Sequence, residues 1–147
     1  MEKIGTFENN YVVYQTGKKF KVVFEHEDFK VEISRLQVFE AMSEETLAFI
    51  GEFIINGKHI GSCDNGGRGA CANIRCNYSN TLFMSFYESL STCEDYCVPK
   101  FKLSPYDIAD HLACHQNIFN TVKSVKEAKA TIDWLQQEAD KYRKMYA

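Results

Sequence analysis

Gly66-Gly67-Arg68-Gly69 is the place in this sequence where backbone and side chain together could hold an anion. Successive N–H groups of a glycine-rich turn can converge into a concave nest, and the forked donors of Arg68 suit phosphate or carboxylate. Asp64, Asn65, Asn73 and Arg75 flank the cluster, and Lys58 stands just upstream. The ligand-binding set expected here is therefore Lys58, Asn65, Gly66, Gly67, Arg68, Gly69, Asn73 and Arg75, with no cofactor implied. The G-x-x-x-x-G-K-[ST] spacing of a phosphate-binding P-loop is missing. Gly67 to Ala72 does fit G-x-G-x-x-A, but that fingerprint needs a surrounding βαβ unit, and here it follows the second arm of a hairpin. The competing account is a tight connection leaving a sheet, where glycine serves only to reach positive φ. Arg68 weighs against it, because such a turn gains nothing from a guanidinium.

Cysteine and histidine offer less. The six cysteines fall at 63, 71, 76, 93, 97 and 114, with no C-x-x-C pair, and their spacing matches no zinc ribbon or finger. Cys93, Cys97, Cys114 and His115 form one conceivable zinc set, set against free buried thiols behaving as small hydrophobes. A disulfide framework would require a secreted context that this chain does not show. His111 and His115 share a helix face, but the acid of an H-E-x-x-H motif is absent between them. His59, on a hairpin arm, reads as a solvent-facing strand histidine. With no paired carboxylates, activated serine or metal signature at the right spacing, no catalytic residue and no metal ligand is expected, and the chain reads as a binding protein rather than an enzyme.

The elements that must position these residues are legible from periodicity. The chain has 147 residues, 45% of them hydrophobic, which suits one soluble globular domain with a sizeable core. A net charge of −3 provides no basic field for DNA or RNA. No apolar run approaches a membrane span, and the first ten residues lack the apolar core of a secretory signal, so a cytoplasmic protein is expected. Tyr11 to Gln15 and Lys19 to Phe24 read as a hairpin around Gly17, and Phe29, Val31 and Ile33 as a third strand whose alternation breaks at Arg35-Leu36. Thr46 to Ile55 and Lys58 to Cys63 flank Asn56-Gly57, a strong type I′ turn signal. After Cys76 the period becomes helical. One helix is expected behind Asn80, a second behind Ser104-Pro105, and a third behind Ser124-Val125-Lys126-Glu127. The fold expected is α+β: an N-terminal antiparallel sheet of about five strands over residues 1–76, then about three helices over 77–147, within a single domain.

Two partner surfaces stand beside the glycine loop. Eight acids against two bases between Glu25 and Glu52 could face a basic partner, or simply be a solvated sheet face. The near-heptad series Val125, Ala128, Ile132, Leu135, Ala139, Tyr142 and Tyr146, with Trp134 off its main face, makes self-association or a partner contact a second possibility.

Ser43-Glu44-Glu45-Thr46, Phe49, Asn56-Gly57, Gly61 and Asn65-Gly66-Gly67-Arg68-Gly69 together resemble a pattern of small phage and prophage proteins: Ser-Glu-Glu-Thr, an aromatic residue, a hairpin, then Asn-x-Gly-x-Gly-Gly. Ala70 replaces the last glycine of that pattern. The resemblance implies a small accessory protein that acts in the cytoplasm of an infected bacterium and neutralises a host component. The function expected is sequestration of a phosphate-bearing ligand such as a nucleotide immune signal. The alternative is inhibition of a host protein through the acidic sheet face or the last helix.

Overall fold

The computed structural model describes residues 1–76 and 80–146; residues 77–79, at the start of the half read as helical, and residue 147 lie outside the described residues. The chain forms an antiparallel meander of seven strands in chain order: β1 (Glu2–Phe7), β2 (Tyr11–Thr16), β3 (Lys19–His26), β4 (Phe29–Val38), β5 (Phe49–Ile55), β6 (Lys58–Asn65) and β7 (Asn73–Arg75). Helices α1 (Thr81–Ser89), α2 (Pro105–Phe119) and α3 (Val125–Tyr146) follow. The α+β class and the order of sheet and helices are as expected, and the sheet is larger by two strands. β1 escapes sequence reading because Glu2, Lys3 and Gly5 dilute its apolar residues and a bulge at Ile4 breaks its alternation. β7 is only three residues long and lies inside a stretch that reads as loop.

Turn chemistry sets the register. Asn56 and Gly57 both adopt positive φ, as a type I′ turn requires, and bring Ile55 opposite Lys58. Asn80 caps α1 by accepting the Phe83 N–H, and Ser104 with Asp107 forms a reciprocal capping box ahead of Pro105. At α3 the box is offset by one residue: Ser124 accepts the Glu127 N–H, while the Glu127 carboxylate accepts from the Lys123 N–H.

The helices cover one face of the sheet. Phe83 and Phe86 of α1 meet Phe24, Phe29 and Phe53 edge-on or tilted, and Phe119 of α2 stacks near Phe7. Ala128, Ile132, Leu135 and Ala139 bury the inner stripe of α3, while Trp134, Tyr142, Met145 and Tyr146 stay exposed. No helix among the described residues is long and apolar enough to cross a membrane.

The sheet splits in its middle. β3 and β4 pair only at Phe24–Val31, Glu25–Lys30 and His26–Phe29, whereas β4 and β5 stay paired from Val31–Ile55 to Val38–Phe49. From Lys19 to Val23 the edge of β3 that faces β4 is therefore without a strand neighbour. Gln116 of α2 takes that place: its Oε1 accepts the Val22 N–H at 2.9 Å and its Nε2 donates to the Phe20 carbonyl at 2.9 Å. Lys21 reaches across the gap to the Ile33 carbonyl at 2.7 Å. A side-chain amide carries one donor and one acceptor group, which is what an unpaired strand edge lacks.

Candidate functional site

The glycine cluster turns inward. Gly67 is buried at φ 82°, and a Cβ there would collide with the Met42 carbonyl oxygen. Its carbonyl accepts the N–H groups of Glu44 at 2.9 Å, Glu45 at 3.0 Å and Thr46 at 3.5 Å. A nest of consecutive amides does exist, then, but Ser-Glu-Glu-Thr builds it and a carbonyl of the glycine loop occupies it. Two of the loop's own amides are engaged as well: Gly67 N–H donates to Asn65 Oδ1 at 2.8 Å, and Gly69 N–H to Thr46 Oγ1 at 3.4 Å. The Glu45 carboxylate packs against Gly69, in the space that a Cβ there would need.

Asn65 organises this junction. It is 5% exposed, and its amide accepts from Thr46 Oγ1 and Gly67 N–H while donating to the Ala70 carbonyl at 3.0 Å and Asp110 Oδ1 at 2.8 Å. Asp110 of α2 also accepts the Ala72 N–H at 2.9 Å. Burial raises the Asp110 carboxyl above its usual range despite those two hydrogen bonds.

The outer face of β4–β7 carries a groove of about 760 Å³. Cross-strand pairing sets out two rows on that face, Ser34–Glu52–Ser62–Arg75 and Gln37–Ile50–Asp64–Asn73. The Phe39–Ala48 connection walls one end, where Phe39 and Met42 are partly exposed, and Ile50 between the strands is 46% exposed. A bulge places Arg35 and Leu36 together opposite Gly51, so that Arg35, at φ 51°, is added to the outer face while Leu36 packs on the core. The broken alternation at Arg35-Leu36 is the sequence signal of this feature. Arg35 Nε lies 3.8 Å from Glu52, which also faces His59 at 3.7 Å, and Arg75 Nε lies 3.4 Å from Asp64.

Of the residues expected to bind a ligand, Asn65, Gly66 and Arg75 line this groove. Asn73 is next to it, with its amide 3.4 Å from Asp64. Arg68 and Gly69 are exposed on the loop and do not line it. Lys58 sits at the opposite end of β6, about 20 Å along the strand from Asn65, and is not a neighbour of the glycine loop. Sequence reasoning missed Arg35, Gln37, Phe39, Met42, Ile50 and Glu52. The acidic residues of the sheet are largely matched locally: Tyr14 donates to Glu25, and Lys21 pairs with Glu32 at 3.7 Å.

A second cluster lies at the β1–β2 turn. Glu8, at φ 49°, meets His115 Nε2 at 3.3 Å, accepts from the Cys97 thiol at 3.2 Å, and donates its N–H to Gln136 at 2.8 Å. Burial would raise the Glu8 carboxyl, but the hydrogen bond and charge of His115 outweigh it and hold the group below the ordinary range. Tyr11 is fully buried; burial, then Glu8, pushes its phenol well up, and its hydroxyl lies in hydrogen-bond contact with His111 Nδ1 at 3.0 Å. Burial, then Glu8, pushes the Cys97 thiol up to about 12, which removes the thiolate a nucleophile needs. Among the described residues no three His, Cys, Asp or Glu side chains are placed to hold a metal ion, and Cys93, Cys97, Cys114 and His115 do not form the zinc set their spacing allowed. The cluster ties the first turn to α2, α3 and the Cys97 segment.

The chain matches no family model, no curated protein and no solved structure.

Proposed function

We propose that this chain is a binding protein whose groove over β4–β7 takes a phosphate-bearing small molecule. One observation carries the proposal: Arg35 and Arg75, 83% and 74% exposed, overlook an apolar patch of Ile50, Phe39 and Met42 in a groove of ligand size. Exposed ion pairs at such distances are worth about 0–1 kcal/mol, so a phosphate can displace the carboxylates at little cost. A guanidinium then offers it paired donors in a fixed fork. The phosphate is placed in the groove rather than in the glycine loop because Gly67 and Gly69 already spend their amides on Asn65 and Thr46. The likeness to small phage accessory proteins makes a nucleotide signal of the host the first ligand to try.

Isothermal titration with inorganic phosphate and a panel of linear and cyclic ribonucleotides tests the reading. Arg35→Gln or Arg75→Gln weakens binding at least tenfold and Arg68→Gln leaves it unchanged. Absence of any binding by the wild type sinks the proposal, and a loss confined to Arg68→Gln returns the site to the loop.

A further inference from the structure

We infer that the ligand of the groove is bis-anionic: a small molecule with two phosphate groups and an apolar body beside them, one phosphate on Arg35 and the other on Arg75. The inference rests on the anion-binding reading of the groove and adds the class of ligand. Strand register supplies the spacing. Arg75 lies in the row Ser34–Glu52–Ser62–Arg75, and Arg35 follows Ser34 directly at the bulge, so the two arginines close the same row from opposite edges. Three strand steps separate β4 from β7, roughly 14 Å between backbones.

Both side chains reach inward by one strand, Arg35 to Glu52 on β5 and Arg75 to Asp64 on β6. That leaves their heads on the order of one to two strand spacings apart, about 5–10 Å. Two phosphates on one nucleotide-sized molecule span such a gap. The adjoining row supplies the seat for the body, with Ile50 at its centre and Phe39 and Met42 at the rim.

Each guanidinium already has a carboxylate beside it, so one phosphate on one arginine gains little over the carboxylate it displaces. With one phosphate docked, the second binds at high effective concentration, and the combined affinity rises by about 100-fold or more.

The test compares adenosine 5′-monophosphate with adenosine 3′,5′-bisphosphate by titration calorimetry on the full chain, with inorganic phosphate as the minimal probe. The bisphosphate binds at least 100-fold more tightly than the monophosphate. Arg35→Gln and Arg75→Gln each reduce the bisphosphate to the affinity of the monophosphate. Both arginines are exposed, so a thermal melt matching wild type verifies that the variants are folded. Equal affinity for the two nucleotides overturns the bis-anionic inference and leaves the anion-binding reading standing. No binding of any of the three probes overturns both. Arginine-dependent binding of a short peptide with aspartates at both ends, without bisphosphate binding, also overturns both and assigns the groove to a protein partner.

Discussion

Asn65 shows how one residue type can suggest a ligand site and serve as an internal fastener. It has two amide hydrogens and one carbonyl oxygen with two lone pairs, and four partners use them. Thr46 and Gly67 belong to the two ends of the Ser43–Gly69 stretch, so the spaced residues of that pattern are explained by contact with each other. Asn65→Asp tests this, since it keeps the shape, removes both donors and sets a charge against Asp110. It is expected to lower the free energy of unfolding by about 2–4 kcal/mol. Urea titration with an unchanged m-value checks it, and a loss under about 1 kcal/mol would show that the loop is held by other bonds. The inward turn of this loop was not legible beforehand, because a glycine-rich run reads the same whether its amides face a ligand or a neighbouring turn.

At the scale of elements, the parts that sequence reading recovers have local causes. The β5–β6 hairpin follows from Asn56-Gly57, and each helix start follows from a cap within three residues of it. Long-range devices leave a fainter trace. Gln116 reads as one more polar residue on α2, yet it and Asn65 are the buried polar residues among those described, and it stands in for a missing strand. The groove depends on the same kind of information: only the stumble at Arg35-Leu36 marks it in the sequence, and its other walls come from strands brought side by side. Gln116→Met preserves volume and strands the Val22 N–H and the Phe20 carbonyl, with an expected cost of about 2–4 kcal/mol. Hydrogen exchange at Val22 accelerates in step. An unchanged melting temperature would mean that water or a shifted β4 repairs the edge.

For the whole molecule, the titrating groups bound the pH range of stability. Glu8 sits below its ordinary 4.5 when folded, so its contribution is complete above that pH and is lost as pH falls through the lower folded value. Asp110, raised above 3.8, has the opposite sign: its burial costs stability at neutral pH, and acid relieves that cost. On the alkaline side Cys63 and Cys97 move from 9.0 to about 12 and Tyr11 rises well above 10.0, so stability present below pH 9 is lost as pH climbs beyond it. Urea midpoints from pH 3 to 11 should show a plateau between these limits. Glu8→Gln lowers the plateau and flattens the acid limb; an acid limb as steep as wild type would assign it to other carboxylates. The tie between Glu8 and Gln136 also has a meaning for synthesis. Six neighbouring strand pairs can close in the order in which they leave the ribosome, each between strands consecutive in the chain. The first strand nevertheless waits for the last helix, since Ile132 packs on Gly5 and Gln136 receives the Glu8 N–H. Strand β1 is thus sealed only when α3 arrives, and a nascent chain stalled before α3 would carry an open flank along β1.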